Sequence, residues 1–146
     1  MLRLGTGVSL YMLSALSMNG AVYAQDDIDS QFGRRHFLQY CASCHGATGK
    51  GDGRAAKTLP KPPTDLSKLA KNNSGVFPIA RVFAVIDGRI QVMVHGSREM
   101  PVWGDIFTQG LKDRMARDYM SKDLVDALVR TRILTLVEYI STLQEK

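Results

Sequence analysis

The residues most suited to chemistry in this sequence are Cys41-Ala42-Ser43-Cys44-His45. C-x-x-C-H is the attachment pattern for a covalently bound c-type haem. On a helix, Cys41 and Cys44 (i, i+3) share one face, where their sulfurs can form thioethers to the two vinyl groups of a porphyrin. His45, four residues after Cys41 and on the same face, offers an imidazole nitrogen as an axial ligand to the iron. A bare C-x-x-C also serves zinc sites and thiol–disulfide enzymes, and the adjoining histidine separates them. The chain has two cysteines, both in this motif, so neither a disulfide framework nor a four-cysteine zinc site can be built. A thioredoxin-like pair needs a strand running into the motif within a βαβ unit, and the sequence has no such pattern.

A second ligand candidate stands in Glu99-Met100-Pro101-Val102-Trp103-Gly104. A methionine is more often core filler than a ligand. Met100 differs by context. It lies 55 residues beyond His45, enough chain to wrap a porphyrin and return on its other face. Pro101 steers the residue before it away from helix, toward an extended loop. His95 competes for the same position, since two histidines can also hold a haem, but one loop conformation serves only one of the two. His36, on the helix before Cys41, is expected to face away and lie at the surface. Trp103 and Arg89 can donate N–H groups to a haem propionate. A core tryptophan and an exposed arginine are the alternatives.

Several elements must hold these groups. Residues 29–41 read as a helix, capped by Asp29 or Ser30, with Phe32, Phe37, Leu38 and Tyr40 on a partly apolar face. Gly33 within it costs roughly 1 kcal/mol against Ala, which implies that another backbone comes close. Residues 46–53 are glycine-dense and form a loop, and they lack the order of a phosphate-binding P-loop. Residues 59–66 carry three prolines, whose fixed φ makes a stiff loop with free carbonyls. Thr64 can cap a short helix over 65–71, with Leu66 and Leu69 inward. A further helix runs from Pro78 to Asp87 and ends at Gly88, with Ile79, Val82, Phe83 and Ile86 as its core face. Residues 105–118 are amphipathic and interrupted by Gly110, with no function assigned. Ser121 caps a final helix reaching Gln144, whose stripe is Leu124, Leu128, Ile133, Leu136, Val137, Ile140 and Leu143.

On these motifs the sequence resembles the class I c-type cytochromes, the monohaem cytochrome c family, over residues 25–146. The resemblance implies an all-α fold, three to five helices wrapped around one covalent haem. It implies that Gly33 and Phe37 cross the last helix near Tyr139. It also implies that a proline carbonyl, of Pro62 or Pro63, accepts a hydrogen bond from His45, which would set the imidazole's tautomer and orientation. It further implies, through the Met-Pro segment, that Met100 is the sixth iron ligand. The implied site is then Cys41, Cys44, His45 and Met100 around haem c, with Pro62, Pro63, Trp103 and Arg89 beside it. With both axial positions filled by protein, one-electron transfer rather than catalysis is the expectation.

The whole chain sets the setting. At 146 residues and 45% apolar composition it suits one domain. Residues 1–24 read as a signal peptide: Arg3, the apolar run 8–18, then small residues at Val22-Tyr23-Ala24. That run is shorter than the ~20 residues needed to cross a bilayer. Export to the periplasm, with cleavage near Ala24, agrees with haem attachment beyond the cytoplasmic membrane. The net charge of +5 is too small to argue for nucleic acid. Lys50, Arg54, Lys57 and Lys61 either steer an acidic redox partner or sit on an ordinary solvated loop. A monomeric carrier, the cytochrome subunit of a larger oxidoreductase, and a peroxidase-like enzyme or gas sensor with a displaceable distal ligand are the competing functions.

Overall fold

The last helix is the scaffold on which the others pack. The computed structural model describes residues 20–89, 100–115 and 121–145. Among these, regular structure consists of α1 (Gly20–Tyr40), α2 (Ala42–His45), α3 (Ile79–Asp87), α4 (Trp103–Met115) and α5 (Lys122–Thr142). Three short 3-10 turns, at Ala56–Thr58, Leu66–Lys68 and Lys71–Asn73, punctuate the loop between α2 and α3, and no strand occurs among the described residues. The all-α expectation therefore holds. The apolar run 8–18, His95, Met93 and Met120 lie outside the described residues.

α5 begins as its sequence signals require. Ser121 is extended, and its Oγ accepts from the Leu124 N–H at 3.3 Å. Its buried stripe is Val125, Val129, Ile133, Leu136 and Ile140, spaced four, four, three and four. Leu124 and Leu128, expected in that stripe, are instead 48% and 38% exposed. Stepping back from Ile133 by four residues lands on Val129 and Val125, and the neighbouring leucines sit about 100° further round the helix.

α1, α3 and α4 each pack against α5. α1 already runs through residues 20–29, so Asp29 and Ser30 lie inside it rather than capping it. No proline or paired glycine interrupts residues 20–29 to stop the helix there. α1 crosses α5 at Gly33, where an added Cβ would strike the Thr135 carbonyl oxygen and come within 3.0 Å of Tyr139 Cβ. One turn on, Phe37 is fully buried, its ring 5.3 Å from that of Tyr139. Both expectations for this crossing are met. Phe32 and Leu38 are turned largely to solvent, because the crossing buries only the Gly33–Phe37 side.

α3 ends at Gly88, whose φ of 64° is the left-handed conformation that favours glycine. Val82 and Ile86 are buried, whereas Ile79, in the first turn, is 59% exposed beside Phe77 and Leu134. The segment to which the sequence assigned no role forms α4, which sends Phe107 and Leu111 (i, i+4) into the core. The short helix expected over 65–71 is two 3-10 turns. Its cap is Asp65 rather than Thr64: Asp65 Oδ1 accepts from the Ser67 N–H at 3.0 Å and from the Ser67 hydroxyl at 2.6 Å.

Candidate haem-binding site

Tyr40 ends α1, and the chain turns at Cys41 before one more helical turn brings His45 round. The turn is hydrogen-bonded throughout: the Cys41 N–H donates to the Phe37 carbonyl, and the Cys44 and His45 N–H groups to that of Cys41. The (i, i+3) and (i, i+4) relations expected of a helix therefore exist at the motif. Both cysteines are free and half-buried. Burial, with the neighbouring Cys44, pushes the Cys41 thiol up to about 12. A reactive redox pair relies on a depressed thiol, so this microenvironment runs opposite to that of a thiol–disulfide enzyme. Among the described residues no group of three or more His, Cys, Asp or Glu is placed to hold a metal ion.

His45 is oriented by the loop that follows. Its Nδ1 lies 3.1 Å from the Thr64 carbonyl oxygen. A carbonyl only accepts, so Nδ1 carries the proton and the lone pair resides on Nε2. The expected partner, a carbonyl of Pro62 or Pro63, is thus replaced by that of the next residue. The Pro63 carbonyl oxygen lies close against Gly51, where an added Cβ would be 2.5 Å from it. Gly51, with φ of 79°, in turn donates its N–H to the His45 carbonyl at 2.8 Å. Burial lowers the His45 pKa against the opposing pull of the Thr64 bond, which favours the neutral imidazole a metal requires.

That loop is held from the far end of the chain. The Gln144 side chain accepts from the Ala70 N–H at 2.8 Å and donates to the Leu66 carbonyl at 2.8 Å and the Ile140 carbonyl at 2.9 Å. The Glu145 N–H donates to the Ser67 carbonyl at 2.8 Å. Sequence reading missed this latch, since a glutamine near a helix end carries no distinguishing pattern.

Met100 is half-buried and packs against the hydrophobic core. The two motifs are brought together by aromatic rings on their flanks. The Trp103 ring, three residues after Met100, lies 5.6 Å from the Tyr40 ring, which immediately precedes Cys41. Phe107 closes the cluster at 5.4 Å from Tyr40 and 5.6 Å from Trp103. Trp103 is therefore a half-buried member of the core cluster. Arg89 Nε donates to Asp87 Oδ1 at 2.8 Å and its Nη1 to Asp126 Oδ1 at 3.3 Å. His36, expected at the surface, is half-buried between Phe32 and Tyr40, with a buried Nδ1 that meets no partner. Burial, then Arg132 and Arg35, lower its pKa.

The residues present fit a covalent haem: two free cysteines on one helical turn, an imidazole with its lone pair on Nε2, and a partly covered thioether. The sequence model of a family described as "Cytochrome C oxidase, cbb3-type, subunit III" matches residues 29–120. That span contains both ligand motifs and stops short of α5. Comparison with curated proteins and with solved structures gave no match.

Proposed function

The chain belongs to this cbb3-type subunit III family, a c-type cytochrome domain that carries haem c covalently through Cys41 and Cys44, and from that premise we propose a one-electron carrier of the periplasm with His45 and Met100 as axial ligands. The bound haem supplies a one-electron iron couple, whose potential a thioether raises relative to a second imidazole. The residues of the chain do the rest. The Thr64 carbonyl holds the His45 ring and its tautomer, so the donor atom is presented without reorganisation. Half-buried Met100, packed against the hydrophobic core, would offer a neutral sulfur as the second donor. A neutral donor pair lets the metal centre change charge without a proton moving at either ligand.

The single observation that carries this reading is the Tyr40–Trp103 contact, which joins the start of the cysteine motif to the end of the Met-Pro segment. Electronic spectroscopy of the oxidised protein tests the ligand set. The weak methionine-to-iron charge-transfer band is expected in wild type and is lost in Met100→Ala. Its survival in the variant would refute Met100. Slow or absent carbon monoxide uptake by the reduced protein is the carrier result, and rapid uptake would favour an enzyme or sensor.

The family description names an oxidase subunit, which supports a second reading as a component docked on a larger complex. No helix among the described residues is long and apolar enough to cross a membrane. Co-purification with an oxidase from native membranes, against recovery in a periplasmic fraction, separates subunit from free carrier.

A further inference from the structure

A thioether is an uncharged ligand on a side chain with three rotatable bonds, so the protein around it must supply the precision with which it meets a metal. Pro101 restrains the backbone on one side of Met100. A bridge of charged groups spans both flanks of the same segment. Asp87, the last residue of α3, is buried at 6% exposure. A buried carboxylate is tolerated only when paired, and Arg89 Nε pairs with it at 2.8 Å. The same guanidinium reaches α5 through Nη1, 3.3 Å from Asp126 Oδ1. Asp126 Oδ2 takes a second cation, Lys122 Nζ, at 3.1 Å.

On the other flank, Gly104 sits in the first turn of α4 directly against this pair. A Cβ there would collide with the Asp87 carboxylate and lie 2.7 Å from both Arg89 Nε and the Asp87 carbonyl oxygen. Arg89, eleven residues before Met100, and Gly104, four after it, thus meet at one ion pair, and that pair is tied to the scaffold helix. Buried ion pairs seldom stabilise more than apolar packing of the same volume, and their better-attested use is to select one geometry.

We propose that the Asp87–Arg89–Asp126 bridge, with Gly104 seated on it, is the positioning device that holds Met100 over the haem iron. The proposal rests on the reading of Met100 as a ligand. Arg89 and Asp126 act through Met100 and touch no substrate, so their loss should leave the ligand type unchanged while making the sulfur easier to displace.

The test uses the haem-loaded protein and the rate at which imidazole binds its oxidised form. Asp126→Ala removes the α5 acceptor of Arg89 and leaves the Asp87–Arg89 pair intact. Gly104→Ala keeps every charge and drives Asp87 and Arg89 apart. Both should speed imidazole entry about tenfold, equivalent to about 1.4 kcal/mol, with the methionine charge-transfer band still present. Lys122→Met, which removes only the exposed partner of Asp126, should leave the rate at the wild-type value. Rates within twofold of wild type in both test variants would overturn the proposal, and so would a lowered melting temperature with no change in rate. A wild-type protein without the band would instead remove Met100 itself, a result distinct from an intact band with unchanged entry.

Discussion

Gly33→Ala and Gly110→Ala make the same chemical change in two helices and should move stability in opposite directions. In a free helix, alanine is better than glycine by roughly 1 kcal/mol. At Gly110 nothing lies within 4 Å of the added Cβ, so most of that gain, about 0.5–1 kcal/mol, should appear as stabilisation. At Gly33 the new methyl would meet the Thr135 carbonyl, with the carbonyl carbon at 2.9 Å and Tyr139 Cβ at 3.0 Å. Carbon atoms settle at about 3.5–4.0 Å, so α1 and α5 must part locally by roughly 1 Å. The obstacle is main chain and cannot rotate away. Overpacking of this kind costs about 1–3 kcal/mol. Weakening of the Phe37–Tyr139 ring contact adds about 0.5–1.5 kcal/mol. Set against the propensity gain, the net loss is about 2 kcal/mol, or about 8 °C in Tm for a domain of this size. Thermal melts of the haem-loaded protein followed by far-UV circular dichroism measure both variants. If Gly33→Ala melts at or above wild type, helix crossing at Gly33 is not what restrains α1, and the reasoning fails.

Other consequences concern the loop that orients His45. Gln144→Ala strands the Ala70 N–H and the Leu66 carbonyl, and should cost about 2 kcal/mol, lowering the urea midpoint with an unchanged m-value. The Asp65 pKa is held below the ordinary carboxylate value first by the Ser67 hydroxyl and further by Lys68. Because the folded value is depressed, the cap's contribution is complete above the unfolded pKa and is lost as pH falls through the folded one. Ser67→Ala should therefore move the Asp65 carboxyl titration, followed by NMR, upward toward its ordinary range, and an unmoved midpoint would contradict the assignment.

The adjacency of two cysteines and a histidine is covalent, so the haem motif was legible without any fold. Local stops and starts were legible for the same reason: Gly88 takes the left-handed conformation and Ser121 caps its own helix through a bond three residues away. Even the Gly33 crossing was readable, because a glycine inside a helix is an anomaly that only close approach explains.

Other choices needed the assembled molecule. Every residue carries a carbonyl, so nothing in side-chain identity could mark Thr64 rather than Pro62 or Pro63 as the partner of His45. Only the folded loop brings the Thr64 carbonyl to within 3.1 Å of His45 Nδ1. Likewise the pairing of Arg89 with Asp126, 37 residues away, depends on how α3 and α5 meet. Whether Leu128 or Val129 faced inward turned on a rotation of about 100° that hydrophobicity alone does not resolve. Sequence determines chemistry and short-range geometry because those act through bonds and single turns. Tertiary structure decided orientation and long-range pairing, because they depend on distances that exist only once the helices have packed.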